Sequence, residues 1–275
     1  MYLHTCPKLE LVKIFETTRL TLKWSLKGAY DDQQTGIGLI LGTGSNAAYL
    51  EDAEKVLNWH GKRPNDVKEV IIDPEFGAFG DNHCIDFIKT EFDKELDNDS
   101  LLPGSFTYEK YFAGKYIGEI VRLALVQLHK INIFMSNNKN DSIFKKDSLT
   151  AKMVSDILED NFMTKKIFQE VLGSTMDHLN EDDCKIIEFV CSLVSERVGI
   201  LVSMPMAVFI ERMHWKKHVA IAVTGSLYKY HPTLKTLLDK YIGKMVPNRS
   251  FHTFLSDDGS VKGAGIVAAI ASNLL

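Results

Sequence analysis

Four short stretches of the chain are rich in Val, Ile, Leu or Phe and end close to Gly, Asp or Ser, which is the pattern of buried β-strands. They are Ile37–Leu41, Val67–Ile72, Val219–Val223 and Phe251–Leu255. Between the second and the third stretch the apolar residues take a helical spacing instead. Strands at both ends with helices in the middle predict an α/β chain built on one layered core.

The longest helical pattern runs from Glu109 to Lys130, after a turn at Pro103–Gly104, and it predicts an amphipathic helix with a wide apolar face. The apolar positions of that face are Tyr116, Ile117, Ile120, Val121, Ala124, Leu125 and Leu128. A second helix is expected from Asp183 to Met213. Because proline has no N–H to donate, we expect a kink or a break at Pro205. A last helix is expected from Val261 to Asn273.

Composition narrows the class of protein without indicating a function. The 275 residues are 45% apolar and 25% charged, with a net charge of −4, which is typical of a soluble globular protein and indicates neither nucleic acid nor an anionic membrane as a partner. No uninterrupted apolar run reaches the roughly 18 residues of a membrane span. The few scattered cysteines, Cys6, Cys84, Cys184 and Cys191, predict reduced thiols in a cytosolic protein, and their spacing indicates no metal site.

Three glycine-rich turns follow predicted strands. Gly42, Thr43 and Gly44 come after the first strand, and we expect the chain to turn helical beyond them. Gly225 and Ser226 follow the third strand, and a turn with Gly259, Ser260, Gly263 and Gly265 precedes the last helix. Glycine lets a ligand approach the backbone closely, and exposed N–H groups bind phosphate oxygens. One such turn is a weak signal, but three in one chain suggest a nucleotide held between loops.

Five blocks of this sequence, in order, resemble the large domain of eukaryotic hexokinases. They read "GLILGTGSNAAYLE", "PEFGAFGDN", "YEKYFAGKYIGEIVRL", "VTGSLYKYHP" and "SDDGSVKGAG", and the resemblance covers about residues 29–275. It implies the actin-like ATPase (ribonuclease H-like) fold. It also implies transfer of a phosphoryl group from ATP, with Mg²⁺, to the 6-hydroxyl of glucose or another hexose.

The resemblance also assigns roles to individual residues. Asn46, Glu75 and Glu109 match the family's sugar-binding positions, and an ionised carboxylate suits a sugar because it accepts hydrogen bonds from neighbouring hydroxyls. The matches to ATP-binding positions are Gly42, Thr43, Gly44, Gly114, Lys115, Ser155, Gly225, Ser226, Gly259, Ser260, Lys262 and Gly263. Val261 departs from the family's glycine, and its Cβ would crowd the last of these loops.

The front of the chain departs furthest from the family pattern. Counting back from Ala29–Tyr30, the family's Asn-Asp-Thr motif falls on Arg19, Leu20 and Thr21. The Asp of that motif is the general base, and the leucine at its position cannot accept a proton. No sequence here resembles the first phosphate loop of the family's small domain. We therefore assign residues 1–28 to a divergent segment and 29–275 to the large domain.

These departures leave three functions open. The first is a hexose kinase that is inactive or severely impaired as it stands, unless a small domain or another hexokinase subunit completes it. The second is a non-catalytic sugar- or nucleotide-binding module with a regulatory role. The third possibility is an unstable truncated product, because the surface between the domains would be bare. Fold alone does not choose among them, since function depends on the site.

Overall fold

A computed structural model describes residues 31–59, 68–136, 145–160, 162–172 and 179–256. Five strands form one mixed sheet in the order β3-β2-β1-β4-β5. The strands are β1 (Thr35–Leu41), β2 (Ser45–Asp52), β3 (Glu69–Ile72), β4 (His218–Thr224) and β5 (Ser250–Leu255). Strands β1, β2 and β3 pair antiparallel, whereas β4 lies parallel to both β1 and β5. The carboxyl ends of β1, β4 and β5 therefore meet at one edge of the sheet.

In addition to the sheet, the described residues form eight α-helices and three short 3₁₀ turns. The helices are α1 (Glu91–Asn98), α2 (Thr107–Lys110), α3 (Gly114–Lys130), α4 (Ala151–Glu159), α5 (Phe162–Leu172), α6 (Glu181–Arg212), α7 (Ser226–Tyr230) and α8 (Leu234–Met245). The 3₁₀ turns are Ala53–Lys55, Phe76–Ala78 and Asp86–Ile88. Side-chain caps begin several of the helices; at α6, Asn180 and Asp183 form a reciprocal capping box that satisfies two backbone N–H groups.

The core lies between the sheet and the helices. Strands β1 and β4 are buried along nearly their whole length, which explains their almost continuous apolar sequences. Helix α6 is the central helix and packs against α3, α4, α5 and α8. Its C-terminal half reaches the sheet, where Phe209 stacks on Tyr49 of β2 with ring centroids 4.5 Å apart. One continuous apolar core thus joins the sheet to the helices.

The four predicted strands are confirmed, although Val67 lies outside the described residues. The prediction that the chain turns helical after Gly44 is wrong. Residues Ser45–Asp52 form β2, which folds back on β1 as a hairpin with Ile40 opposite Asn46. Gly42 N donates to Gly44 O at 3.0 Å, so the glycine-rich segment closes a tight turn between two strands. A strand followed by glycines permits either outcome, and pairing with β1 decides it.

Two helix predictions also need correction. The helix expected over Glu109–Lys130 is split into α2 and α3, because the chain breaks at Tyr111–Ala113 and α3 begins against the β1–β2 turn. The second helix is found as α6, close to its predicted bounds. The structure assigns α6 as continuous through Pro205, so the proline does not break it.

Helix α6 is long and apolar enough, by length and composition, to cross a membrane; in the part of the chain that the structure describes, no other helix is. Its most apolar window has a mean hydropathy of 1.7, and 61% of that window is buried inside the fold. The core helix of a globular protein has the same properties, so the finding is weak evidence for a membrane.

Some sequence predictions fall outside the described residues. Leu20 and the segment 1–28 are among them, as is the helix predicted at Val261–Asn273. The division of the chain at residue 28 therefore stays a prediction.

Candidate functional site

Two of the three glycine turns lie against each other at the edge where β1 and β4 end. Gly225, directly after β4, has φ +110, and a Cβ at this residue would lie 2.2 Å from the carbonyl oxygen of Leu41. Only glycine allows this backbone approach. Strand β5 ends at the same edge, since Ser256 N donates to Val223 O at 2.8 Å. Gly259, Ser260, Lys262 and Gly263 themselves lie outside the described residues.

The β1–β2 turn is joined on its other side to the start of α3. Gly114 N donates to Gly42 O at 2.9 Å, and Lys115 N donates to Thr43 O at 3.0 Å. These bonds satisfy two N–H groups that would be orphaned at a helix N-terminus. A Cβ on Gly114 would lie 2.5 Å from Gly42 O. The turn is therefore held between α3 and Gly225, with Thr43 exposed at its tip.

The remaining residues expected to bind ATP are placed less uniformly. Lys115 lines a cavity of about 230 Å³ together with Phe106 and Glu109, beside the turn. Ser226 is exposed as the first residue of α7. Ser155 is buried in α4 and its hydroxyl donates to Ala151 O at 2.9 Å, so that hydroxyl is already used within its helix. The ATP-binding roles of these residues stay predictions.

A polar cluster gathers at the start of β2. The side-chain amide of Asn46 donates to Asp73 Oδ1 and to Glu75 Oε1, both at 3.0 Å. Asp73 Oδ1 also accepts from the backbone N–H of Glu75 at 3.2 Å. Glu75 has a left-handed backbone with φ 46 and ψ 46, which is uncommon for a residue with a side chain. Such strain is often found at binding sites, and here the bonds to Asp73 and Asn46 stabilise the left-handed conformation of Glu75.

Glu109 reaches the same region from α2. Its Oε2 accepts the backbone N–H of Ser45 at 2.9 Å, so the carboxylate lies against the residue that precedes Asn46. The loop that carries Glu75 adjoins it as well, since a Cβ on Gly77 would lie 3.3 Å from the Cβ of Glu109. The structure thus brings together Asn46, Glu75 and Glu109, the three residues that the sequence assigned to the sugar.

The electrostatics of this cluster are set by its several carboxylates. Partial burial and the neighbouring Asp73 carboxylate raise the pKa of Glu75 above its ordinary value of 4.5, while the hydrogen bond from Asn46 opposes the shift and Glu109 adds to it. Like charges close together favour the protonated form of one of them. A ligand that donates hydrogen bonds to these carboxylates would relieve their repulsion, and the hydroxyls of a sugar are such donors.

Sequence reasoning missed the residues that hold Glu109 in place. Asp81 accepts the N–H groups of Phe106 at 3.1 Å and Thr107 at 2.8 Å, and so caps α2. Lys110 is buried, and its ammonium bonds to Asp97 Oδ1 at 2.5 Å and to Leu102 O at 2.6 Å. The available signal was only that Asp81 lies in the block "PEFGAFGDN" and that Lys110 follows Glu109. Asp73, which bonds Asn46 and Glu75, was missed as well, because its position directly before Pro74 gives no local signal of those bonds.

The fold and the arrangement of the turns define the class of protein. The mixed five-stranded sheet has its parallel strands ending at glycine turns beside a cluster of carboxylates, and its structural relatives are hexokinases of the actin-like sugar-kinase fold. The Hexokinase family model matches residues 36–270. The chain therefore belongs to the hexokinase family.

Individual relatives agree with this assignment. Hexokinase-2 of Rattus norvegicus is 37% identical over 250 residues, which cover 89% of this chain and 27% of that protein. The crystal structure of the Schistosoma mansoni hexokinase complexed with glucose matches with a TM-score of 0.83 and 33% identity, over 91% of this chain and 56% of that one. A second hexokinase crystal structure matches with a TM-score of 0.70 and 26% identity, over 91% of this chain and 54% of that one. The chain thus spans about a quarter of the length of the rat relative.

Proposed function

We propose that this chain supplies the hexose-binding surface and part of the ATP-binding surface of an ATP-dependent hexose 6-kinase, with glucose or a close hexose as the acceptor. The observation that carries the proposal is the convergence of Asn46, Glu75 and Glu109 beside the Gly42–Gly44 turn. Membership of the hexokinase family supports it, as does the glucose bound to the Schistosoma mansoni relative.

The sugar side follows from the chemistry of the cluster. Each carboxylate offers about four lone-pair positions, and Ser45 occupies one on Glu109. Glu75 and Glu109 therefore keep the capacity to accept hydroxyl donors, and hydrogen bonds to a charged acceptor are the strong ones. A site of this kind discriminates against analogues that lack a bonded hydroxyl, because a charge-assisted hydrogen bond to a carboxylate is then lost.

The ATP side rests on the turns at the edge of the sheet. We place the phosphates near Thr43 and Gly44, with Gly225 and Ser226 on the far side, because the backbone of Gly225 lies against Leu41 and Gly42 at the start of the same turn. Donor and acceptor would then adjoin across a single turn, which suits a reaction in which positioning supplies much of the rate. Among the described residues, no three His, Cys, Asp or Glu side chains converge on a metal. Mg²⁺ would be carried mainly by the phosphates, as is usual for this ion.

The proposal is tested by titrating the chain with D-glucose in a calorimeter, before and after Glu75→Gln. Loss of a charge-assisted hydrogen bond is expected to cost about 1.5–3 kcal/mol of binding, a roughly ten- to hundredfold weaker affinity. Glu95→Gln, an exposed carboxylate of α1, is the matched control and is expected to leave the affinity unchanged. Binding is the better readout than turnover, because the family's general-base position falls on Leu20.

Deoxy analogues sharpen the same experiment. A glucose analogue lacking the hydroxyl that Glu75 binds should bind the unaltered chain weakly. For that analogue, and not for the others, Glu75→Gln should reduce the affinity little further. No measurable binding of glucose, or equal affinities for the unaltered chain and Glu75→Gln, would contradict the proposed role.

A further inference from the structure

Helix α2, which carries Glu109, has four residues and so makes only a single helical turn. An isolated turn of helix has no stability of its own, because nucleation fixes several residues for one hydrogen bond. The position of Glu109 must therefore come from bonds to other elements. Asp81 holds the start of α2, Lys110 ties its end to Asp97, and a third bond runs from Tyr108.

The bond from Tyr108 reaches α6, 93 residues away in the sequence. The Tyr108 hydroxyl donates to the carbonyl oxygen of Leu201 at 2.6 Å, and the Tyr108 side chain is almost completely buried. The sulfur of Met204 lies 3.9 Å from the same hydroxyl and is at most a weak second acceptor. Burial raises the pKa of Tyr108 above its ordinary value of 10, so the hydroxyl keeps its proton and stays a donor.

The carbonyl of Leu201 lacks its usual helical donor because of Pro205. In an α-helix the carbonyl of residue i−4 accepts the N–H of residue i, and residue 201 stands four positions before residue 205. Pro205 has no N–H, so the helix leaves the Leu201 carbonyl without its usual donor. A buried carbonyl without a partner is costly, and the Tyr108 hydroxyl supplies the missing donor.

We propose that Tyr108 is a positioning residue for Glu109: its hydroxyl, bonded to the carbonyl that Pro205 leaves open, fixes α2 against α6 and so sets where the Glu109 carboxylate lies beside the hexose. This inference rests on the proposed function, in which Glu109 binds the hexose. It assigns Pro205 a role in the site although the proline lies on a different element. Tyr108 itself does not touch the sugar.

The experiment measures the affinity for D-glucose by calorimetry and the stability by urea unfolding in four variants: Tyr108→Phe, Pro205→Ala, the double variant of these two, and Glu109→Gln. Tyr108→Phe is expected to weaken glucose binding about three- to tenfold and to lower stability, since it leaves the Leu201 carbonyl without a donor. Tyr228→Phe is the matched control: it also removes a buried tyrosine hydroxyl bond, to Thr253, and is expected to leave glucose affinity unchanged.

The double variant separates positioning from simple loss of a hydrogen bond. The change Pro205→Ala restores a backbone N–H at this position, so the Leu201 carbonyl regains a partner within α6 and stability should recover. If Tyr108 positions Glu109, glucose affinity stays about three- to tenfold weaker although stability is regained. Pro205→Ala alone should weaken affinity at most slightly, because a carbonyl oxygen has two lone pairs and can accept both the new N–H and the Tyr108 hydroxyl. Recovery of affinity together with stability overturns the inference.

The remaining outcomes distinguish this inference from the proposed function. If Glu109→Gln weakens glucose binding but Tyr108→Phe does not, Tyr108 has no positioning role and the proposed function stands. If Glu109→Gln leaves binding unchanged, Glu109 is not a hexose ligand, and both the proposed role of Glu109 and the inference are overturned. Should Tyr108→Phe fail to fold, the double variant alone gives the decisive affinity.

Discussion

The two carboxylates of the candidate hexose site are held by different means. Glu109 lies on a short helix tied to three separate parts of the fold through Asp81, Lys110 and Tyr108. Glu75 lies on a surface loop with its carboxyl partly buried, and it takes its position from a left-handed backbone and from bonds to Asp73 and Asn46.

A carboxylate can thus be positioned either by bonds to distant parts of the fold or by the local backbone. The position of Glu109 depends on tertiary bonds that span up to 93 residues, so substitutions far from it should alter it. The position of Glu75 depends on local geometry, and its pKa depends on partial burial of the carboxyl and on the neighbouring Asp73 carboxylate. We therefore expect the Glu109 side to respond to changes in packing and the Glu75 side to respond to pH.

The largest effect is expected from Lys110→Met, which breaks the Glu109 side. The ammonium of Lys110 and the carboxylate of Asp97 form a buried pair, with side-chain exposures of 4% and 13%. Removing Lys110 is expected to cost roughly 2–3 kcal/mol, because Asp97 loses its closest charged donor and keeps only the more distant Lys89 ammonium and the N–H of Gly104. Urea unfolding measures this loss, and glucose affinity should fall with it. Lys94→Met, which breaks an exposed pair with Glu91, is the control and should change stability little. Equal stability of the two variants would show that Lys110 does not hold α2.

An intermediate effect is expected from Asp81→Ala. The variant removes both acceptors at the start of α2, where Phe106 also has a left-handed backbone with φ 54. Loss of a helix cap costs about 1–2 kcal/mol. Thermal unfolding should show this loss, and glucose affinity should fall through Glu109 while its dependence on pH is preserved. Asp99→Ala, which removes an exposed carboxylate paired with Lys146, is the comparison. A changed pH dependence in Asp81→Ala would mean that the two sides are not independent.

The smallest effect is expected from pH and belongs to the Glu75 side. Because the pKa of Glu75 is raised above 4.5, acidification protonates this carboxylate while ordinary carboxylates remain charged. Glucose affinity should therefore fall a few-fold as pH decreases through the raised pKa, because the protonated group is a poorer acceptor. The sign for stability is opposite: the contribution of Glu75 is full below its unfolded pKa and is lost as pH rises through the folded one. Glu75→Gln should remove both trends, and their persistence in that variant would assign them to another group.

Much of the fold could be predicted from the sequence, because apolar strands and a helical face are local patterns. The bounds of β1, β4, β5 and α6 were close to those observed. The hairpin was not predictable in this way, since a strand followed by Gly-Thr-Gly precedes a helix as readily as a second strand. The pairing of β2 with β1 and β3 is a tertiary fact.

The site was predictable only in part. Asn46, Glu75 and Glu109 were identified by resemblance, and the structure brings them together. No local pattern, however, links Tyr108 to Leu201 or Lys110 to Asp97, because these bonds join segments that are distant or follow an irregular loop. The supporting residues of a site are therefore harder to predict than its ligands.

The β1–β2 turn lies against Gly114 and Gly225, and this close contact limits which substitutions are tolerated at these two positions. Side chains at Gly114 and Gly225 would collide with the carbonyl oxygens of Gly42 and Leu41, which are backbone atoms present whatever residue occupies those positions. A second substitution cannot remove a backbone oxygen and could help only by shifting the backbone, so suppressors of changes at these glycines should be rare. Gly36 is different, because its added Cβ would meet the side chain of Met213 at 2.9 Å. A smaller residue at position 213 can make room there, so a substitution of Gly36 can be tolerated when it is paired with one at Met213.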